Sequence, residues 1–330
     1  MHNENMNYTF EKGIYVPQKD VTPIVIFMDE TNLLNKSGFL QSAVVVPYDF
    51  YKESLIPICS DLLKKLGNDA KEFKGSNIKP GNVSIYKDFL RCFSNTIARV
   101  SEQTQVSDQL EIHSVISIDA TLTYESNNFE IIFEIASGVL VDLGIKDEEH
   151  LAAECSRQIL WLLNHYHKIC DHRFANGLLL VFDNKHRYAQ RLRSLKLIKP
   201  EGLGTSVFWE MGDLLTRLAN TILSKMKDSH TLSEIKKFQF LWSNKEFGLQ
   251  AADLLCHLMY NTLKYELGII NDNTKLKRDI LSEILPDFSI DEAIASALDV
   301  KKDSENREDI LCVKQDLIST FQLLPQKDRI

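Results

Sequence analysis

The stretch IVIFMDET, residues 24–31, decides how the rest of the chain is read. Ile24 to Phe27 is a run of β-formers, and its β-branched, apolar content predicts a buried strand. That strand delivers two adjacent carboxylates, Asp29 and Glu30, at its end. Acids at a strand end ordinarily face solvent. They become a metal site only when acids from elsewhere join them, so the other acids of the chain decide the matter.

Two further segments supply them. NGLLLVFDN, residues 176–184, is the most apolar strand candidate and ends in Asp183. Ends of central strands are where α/β sheets collect functional groups, although a lone strand-end Asp is also a common turn former. FGLQAADLLCHLMYNTLKY, residues 247–265, is a helix apolar on nearly every face, hence buried. Its polar residues Gln250, Asp253, His257 and Asn261 fall within about 80° of arc at 100° per residue. An unpaired buried Asp253 is costly, so it needs a cation, an Arg partner or dense hydrogen bonding. Asp29, Asp183 and Asp253 together offer the oxygen ligands that Mg²⁺ or Mn²⁺ prefers. Two such ions about 4 Å apart activate water and stabilise the leaving oxygen of a phosphodiester. Glu72, in EFKG, is a candidate fourth carboxylate, and Lys74 is placed to reach a phosphate; an ordinary exposed pair is the alternative for these two.

Composition sets the frame. The chain has 330 residues, 44% hydrophobic and 25% charged, with a formal net charge of −8. This is globular, and its overall charge does not advertise nucleic-acid binding; an anionic partner must be met by a local basic patch. The six cysteines show no paired spacing and are expected to be reduced core residues. The polar N-terminus has no signal-peptide pattern and no apolar run is long enough for a membrane span, so a soluble cytoplasmic protein is expected.

Along the chain, residues 1–20 are a lead-in. NKSG turns the first strand into a second, FLQSAVVVP, making a hairpin that Pro47 closes. A helix is predicted over 48–67, a loop over EFKGSNIKPG, a helix over 83–101, a strand in QLEIHSVISIDA (109–120), and helices near 129–142 and 147–169. After Asp183 a basic helix is expected, then TSVFWE, a helix near 211–226, a strand KKFQFLWS and the long helix from Phe247. Residues 271–330 are charged and mostly helical; DEAIASALDV and LCVKQDLISTFQLL are amphipathic. The expectation is an α/β domain over 1–270 with a helical insertion near 125–172, followed by a C-terminal helical region over 271–330. The amphipathic helices must cover their apolar faces on the core, in a homodimer or on a protein partner.

MDET, EFKG, VFDNK and WSNKEFGLQAADLL, in this order, resemble the bacterial family known as domain of unknown function 3800. The resemblance spans roughly residues 24–265, and its most specific part matches Ser243, Gln250 and Asp253. The first motif departs from the family's D-E-S-G: Thr31 keeps the hydroxyl, but the glycine is lost. The resemblance implies a ribonuclease-H-like mixed sheet flanked by helices and a place in bacterial anti-phage defence. It implies Asp29, Asp183 and Asp253 as metal ligands, with Glu30, Glu72, Lys74, Ser243 and Gln250 as supporting residues.

The substrate side rests on residues 184–199. Lys185, Arg187, Arg191, Arg193, Lys196 and Lys199 occur there without one acid, a local reversal of sign in an acidic chain. A basic helix starting beside a metal site is a natural phosphate track; a solvated helix face is the plain alternative. Lys74 and Lys245 are the second candidate track. His165, His167 and His172 fit no standard zinc spacing, and there is neither a G-x-S-x-G elbow nor a Walker loop. The expected function is hydrolysis of nucleic-acid phosphodiesters with two Mg²⁺ or Mn²⁺ ions. The rivals are a catalytically silent nucleic-acid-binding or assembly module and a metal-dependent nucleotide phosphohydrolase.

Overall fold

The computed structural model describes residues 14, 24–32, 38–67, 69–94, 117–124, 127–142, 178–183, 207–225 and 235–286, with isolated positions in 149–159, 288–291 and 311–315. Five strands, β1 (Ile24–Asn32), β2 (Gly38–Pro47), β3 (Ser117–Tyr124), β4 (Leu178–Asp183) and β5 (Ile235–Leu241), form one sheet in the order β3-β2-β1-β4-β5. β2 is antiparallel to β1 and β3, whereas β1, β4 and β5 run parallel. The fold is therefore mixed α/β, with β1 at the centre.

β1 and β4 are covered on both faces, which is why they read as unbroken apolar runs. Val25, Phe27, Leu179 and Val181 enter one core. That core is completed by α1 (residues 48–65), α2 (Val83–Ser94), α5 (Phe247–Glu266) and α6 (Asp272–Ile284). Ile24, Ile26, Met28, Leu178, Leu180 and Phe182 enter the other, with α3 (Asn127–Asp142) and α4 (Val207–Lys225). Alternation along the strands then puts Asp29 and Asp183 on the same face as Phe27 and Val181. This is the face on which α5 lies.

α5 approaches β1 closely because its contact surface is small. A Cβ at Gly248 would fall 2.2 Å from the Phe27 ring. Next along α5, the Ser42 hydroxyl of β2 donates to the Ala252 carbonyl at 2.6 Å. In α1, Tyr51–Leu55 takes the wider π geometry. Pro57 follows; it has no N–H to give to the Glu53 carbonyl, and its ring crowds that turn. α6 opens with a reciprocal cap: Asn271 accepts from Thr274 N–H at 2.9 Å, and the Thr274 hydroxyl accepts from Asn271 N–H at 3.0 Å.

Two boundaries differ from the sequence expectation. β3 (Ser117–Tyr124) runs past the predicted end at residue 120, because its pairing with β2 continues to Gly38↔Tyr124; residues 109–116 of the expected strand lie outside the described residues. α4 begins at Val207, so VFWE belongs to the helix rather than preceding it. α6 packs against α2 and α5 within the main core, burying Ile280, Leu281 and Ile284. The expected basic helix, most of the 147–169 helix and the last two amphipathic helices lie outside the described residues. Among the described residues no helix is long and apolar enough to cross a membrane.

Candidate active site

Asp29 leaves the end of β1 and Asp183 the end of the adjacent parallel strand β4. Asp253 reaches down from the second turn of α5, and its carboxyl shares a hydrogen bond with that of Asp29. Burial pushes the Asp253 carboxyl above its ordinary range, and the Asp183 charge adds to the effect; the Asp29 bond and Lys74 oppose it. Carboxylates about 5 Å apart at an effective dielectric of about 20 repel by roughly 3 kcal/mol per pair. A hydrogen bond between two carboxyls demands a shared proton, or a cation in its place.

Glu72 and Lys74 enter from the loop between α1 and α2. The Lys74 ammonium sits 2.7 Å from a Glu72 oxygen. That bond first, and the charges of Asp253 and Asp183 more weakly, hold the Lys74 ammonium above its usual range. The loop is anchored at two neighbouring points. The Phe73 ring stacks on Phe89 at 3.9 Å within the core, and Phe73 N–H donates to Gln250 Oε1 at 2.9 Å. Gly75 rests on His257, where a Cβ would fall 2.2 Å from the imidazole.

Gln250 has a second task. Its Nε2 donates to the Ser243 carbonyl at 2.9 Å, while Ser243 N–H donates to Asp183 Oδ1 at 3.0 Å. One buried amide thus ties the Lys74 loop and the Ser243–Lys245 turn to α5, and the turn in turn orients Asp183. The other polar residues of the α5 stripe point into structure as well. His257 Nε2 meets the Lys277 ammonium at 2.7 Å. Burial, then the charges of Lys277 and Lys264, lowers His257 to about 4, so it is the neutral acceptor of a Lys277 proton. Asn261 donates to the His257 carbonyl within the helix.

Of the residues singled out by sequence, the structure gathers Asp29, Asp183, Asp253, Glu72 and Lys74, with Gln250 and Ser243 alongside. Lys245 is exposed on the turn after Ser243. Glu30 is placed opposite Gln41 in the β1–β2 ladder, and its side chain lies outside the described residues. Lys185, Arg187 and Arg191 also lie outside them. Among the described residues, no group of three or more His, Cys, Asp or Glu side chains stands as an arrangement that could hold a metal ion. The donor chemistry nevertheless suits a hard cation: it is all oxygen, half-buried and crowded with like charge. In the arrangement seen, Asp29 and Asp253 engage each other and Asp183 engages Ser243 N–H.

The expected set did not contain Tyr51 and Glu246. The Tyr51 hydroxyl donates to Glu246 Oε2 at 2.9 Å and accepts from Gly248 N–H at 3.3 Å. Burial raises Glu246 to about 7. In KEF the glutamate looks like an exposed charge before a helix, and only the long-range contact with α1 reveals otherwise.

No family model, no curated protein and no solved structure matches the chain.

Proposed function

We propose that the chain is a divalent-metal-dependent nuclease on a ribonuclease-H-like fold. The observation that carries this is Asp253, which bonds Asp29 and lies within the field of Asp183, Glu72 and Lys74, beside the ends of two parallel strands and on one buried helix. The order of the described strands, with β1 central and, among them, β2 alone reversed, supports the fold assignment.

Asp29, Asp183 and Asp253 would hold Mg²⁺ or Mn²⁺, two ions for three or four carboxylates. When bound, the metal supplies water activation and charge neutralisation at the phosphate. The remaining roles fall to the chain. Lys74 presents a fixed positive charge at the edge of the cluster, suited to a phosphate oxygen whose charge grows in the transition state. Gln250 holds that lysine's loop and the Ser243 turn in register, so the positions of Lys74 and Asp183 are set before substrate arrives. Lys245 gives the backbone of a nucleic acid a second exposed cation.

The test is cleavage of labelled single- and double-stranded RNA and DNA while Mg²⁺ or Mn²⁺ is titrated, with metal binding followed by calorimetry. The expected result is metal-dependent cleavage that chelation abolishes. A chain that binds neither ion at millimolar concentration, or that cleaves equally well in chelator, overturns the proposal.

A further inference from the structure

We propose that Trp242 is a stacking platform for an unpaired nucleobase, seating a single strand beside the carboxylate cluster; this rests on the nuclease function proposed above. Among the described residues the large exposed hydrophobics are five aliphatic side chains and Trp242, which is 47% exposed. An isolated exposed aliphatic needs no explanation. An indole in water forgoes more, since a tryptophan buries up to about 250 Å² where a partner is present. Where Trp242 sits supplies the partner.

Trp242 follows β5 in extended conformation, φ −81° and ψ 122°. Leu241 before it packs against the α5 core, so the indole leaves the backbone on the opposite side and does not enter that core. The Trp242 carbonyl accepts from Lys245 N–H at 2.9 Å, closing the turn whose Ser243 N–H holds Asp183 at 3.0 Å. Bond geometry then keeps the Trp242 Cα within about 5.5 Å of that Asp183 oxygen. Lys245, on the same turn, and Lys74, across the cluster, are exposed cations. The flat π-face on one side of the strand ends and the carboxylate cluster with Lys74 on the other thus border the same edge of the sheet, with Lys245 on the same turn as the indole, so a single strand would cross that edge. Sequence-tolerant single-strand sites are built from these parts. A duplex keeps its bases stacked on one another, so the indole discriminates in favour of single strands.

The test uses the intact chain with Ca²⁺ in place of Mg²⁺, a labelled oligothymidylate and a duplex of equal length, and reads anisotropy and intrinsic tryptophan emission. Stacking predicts that Trp242→Ala weakens single-strand binding by about 10-fold or more and duplex binding by less than about 2-fold. Trp242→Phe retains most of the affinity but loses the emission quenching that the single strand causes in the wild type. The salt dependence of Trp242→Ala stays that of the wild type because no charge is removed, whereas Lys245→Ala flattens the slope by roughly 0.7 for each phosphate that the lysine neutralises. Unchanged single-strand affinity in Trp242→Ala overturns the stacking site and leaves the nuclease function standing, and so does an equal loss on single strand and duplex. A wild type that binds neither nucleic acid overturns the nuclease function, and the stacking site with it.

Discussion

At the scale of single residues, Asp253 and Gln250 carry different burdens. Asp253 is a half-buried carboxyl held against the charge of Asp183. Asp253→Asn keeps the shape and still bonds Asp29, so the metal-free protein should fold and be no less stable than the wild type. Metal-dependent cleavage should fall by at least about 10³-fold, the scale on which loss of an essential electrostatic group is felt. Full cleavage at matched metal concentration would remove Asp253 from the ligand set. Gln250 touches no substrate; it is a positioning residue. Gln250→Ala strands the Phe73 N–H and the Ser243 carbonyl, and a buried unpaired polar group costs about 1–3 kcal/mol. Because Lys74 and Asp183 both lose their supports, kcat should drop far more than KM rises. A variant with lowered stability and unchanged kcat would show that the amide only holds the fold together.

At the scale of elements, the loop carrying Glu72 and Lys74 is fixed by what lies beneath it. His257 cannot swing away from Gly75 without leaving the Lys277 ammonium, in a residue only 3% exposed, unpartnered. Gly75→Ala must therefore lift the loop. We expect a stability loss of about 1–3 kcal/mol, the usual scale of overpacking, and at least a tenfold loss of cleavage at saturating metal. Urea unfolding and steady-state kinetics on the same preparation check both; wild-type kcat in the alanine variant would mean that Lys74 need not be held. The elements also show what the sequence makes legible. β1, β4 and α5 can be read because strands and helices buried on all sides leave few polar residues, and those few stand out: Asp29, Asp183 and the Gln250–Asn261 stripe. The end of β3 escapes a local reading because alternation carries on through residue 124, and the pairing with β2 sets how far the strand runs. Lys277, in KLKRD, has the pattern of a solvated run, and its burial depends on α5, which local pattern does not report.

At the scale of the whole molecule, acid–base behaviour follows from one group that joins three parts of the chain. Glu246 precedes α5, follows the turn after β5, and receives the Tyr51 hydroxyl from α1. Its carboxyl is 7% exposed as a residue and is raised from an ordinary 4.5 to about 7, chiefly by burial, against which the Tyr51 bond works. Below pH 4.5 the group is protonated whether the chain is folded or unfolded, and it costs nothing. Above pH 7 it is charged in both states, and the folded state bears the full cost of burying that charge. Between these limits the folded state binds more protons than the unfolded state, so stability falls as pH rises. The loss across the window is on the order of 3 kcal/mol, at 1.36 kcal/mol per unit. Glu246→Gln stays neutral throughout and still accepts from Tyr51. Asp253 contributes a dependence of the same sign, but it is common to both proteins, so the difference between them isolates Glu246. Urea midpoints of metal-free wild type and variant should therefore agree near pH 4 and diverge up to pH 8, with the variant the more stable. Parallel curves across that range would mean that Glu246 is not buried as a charge, and that the Tyr51 bond is not what joins α1 to the start of α5.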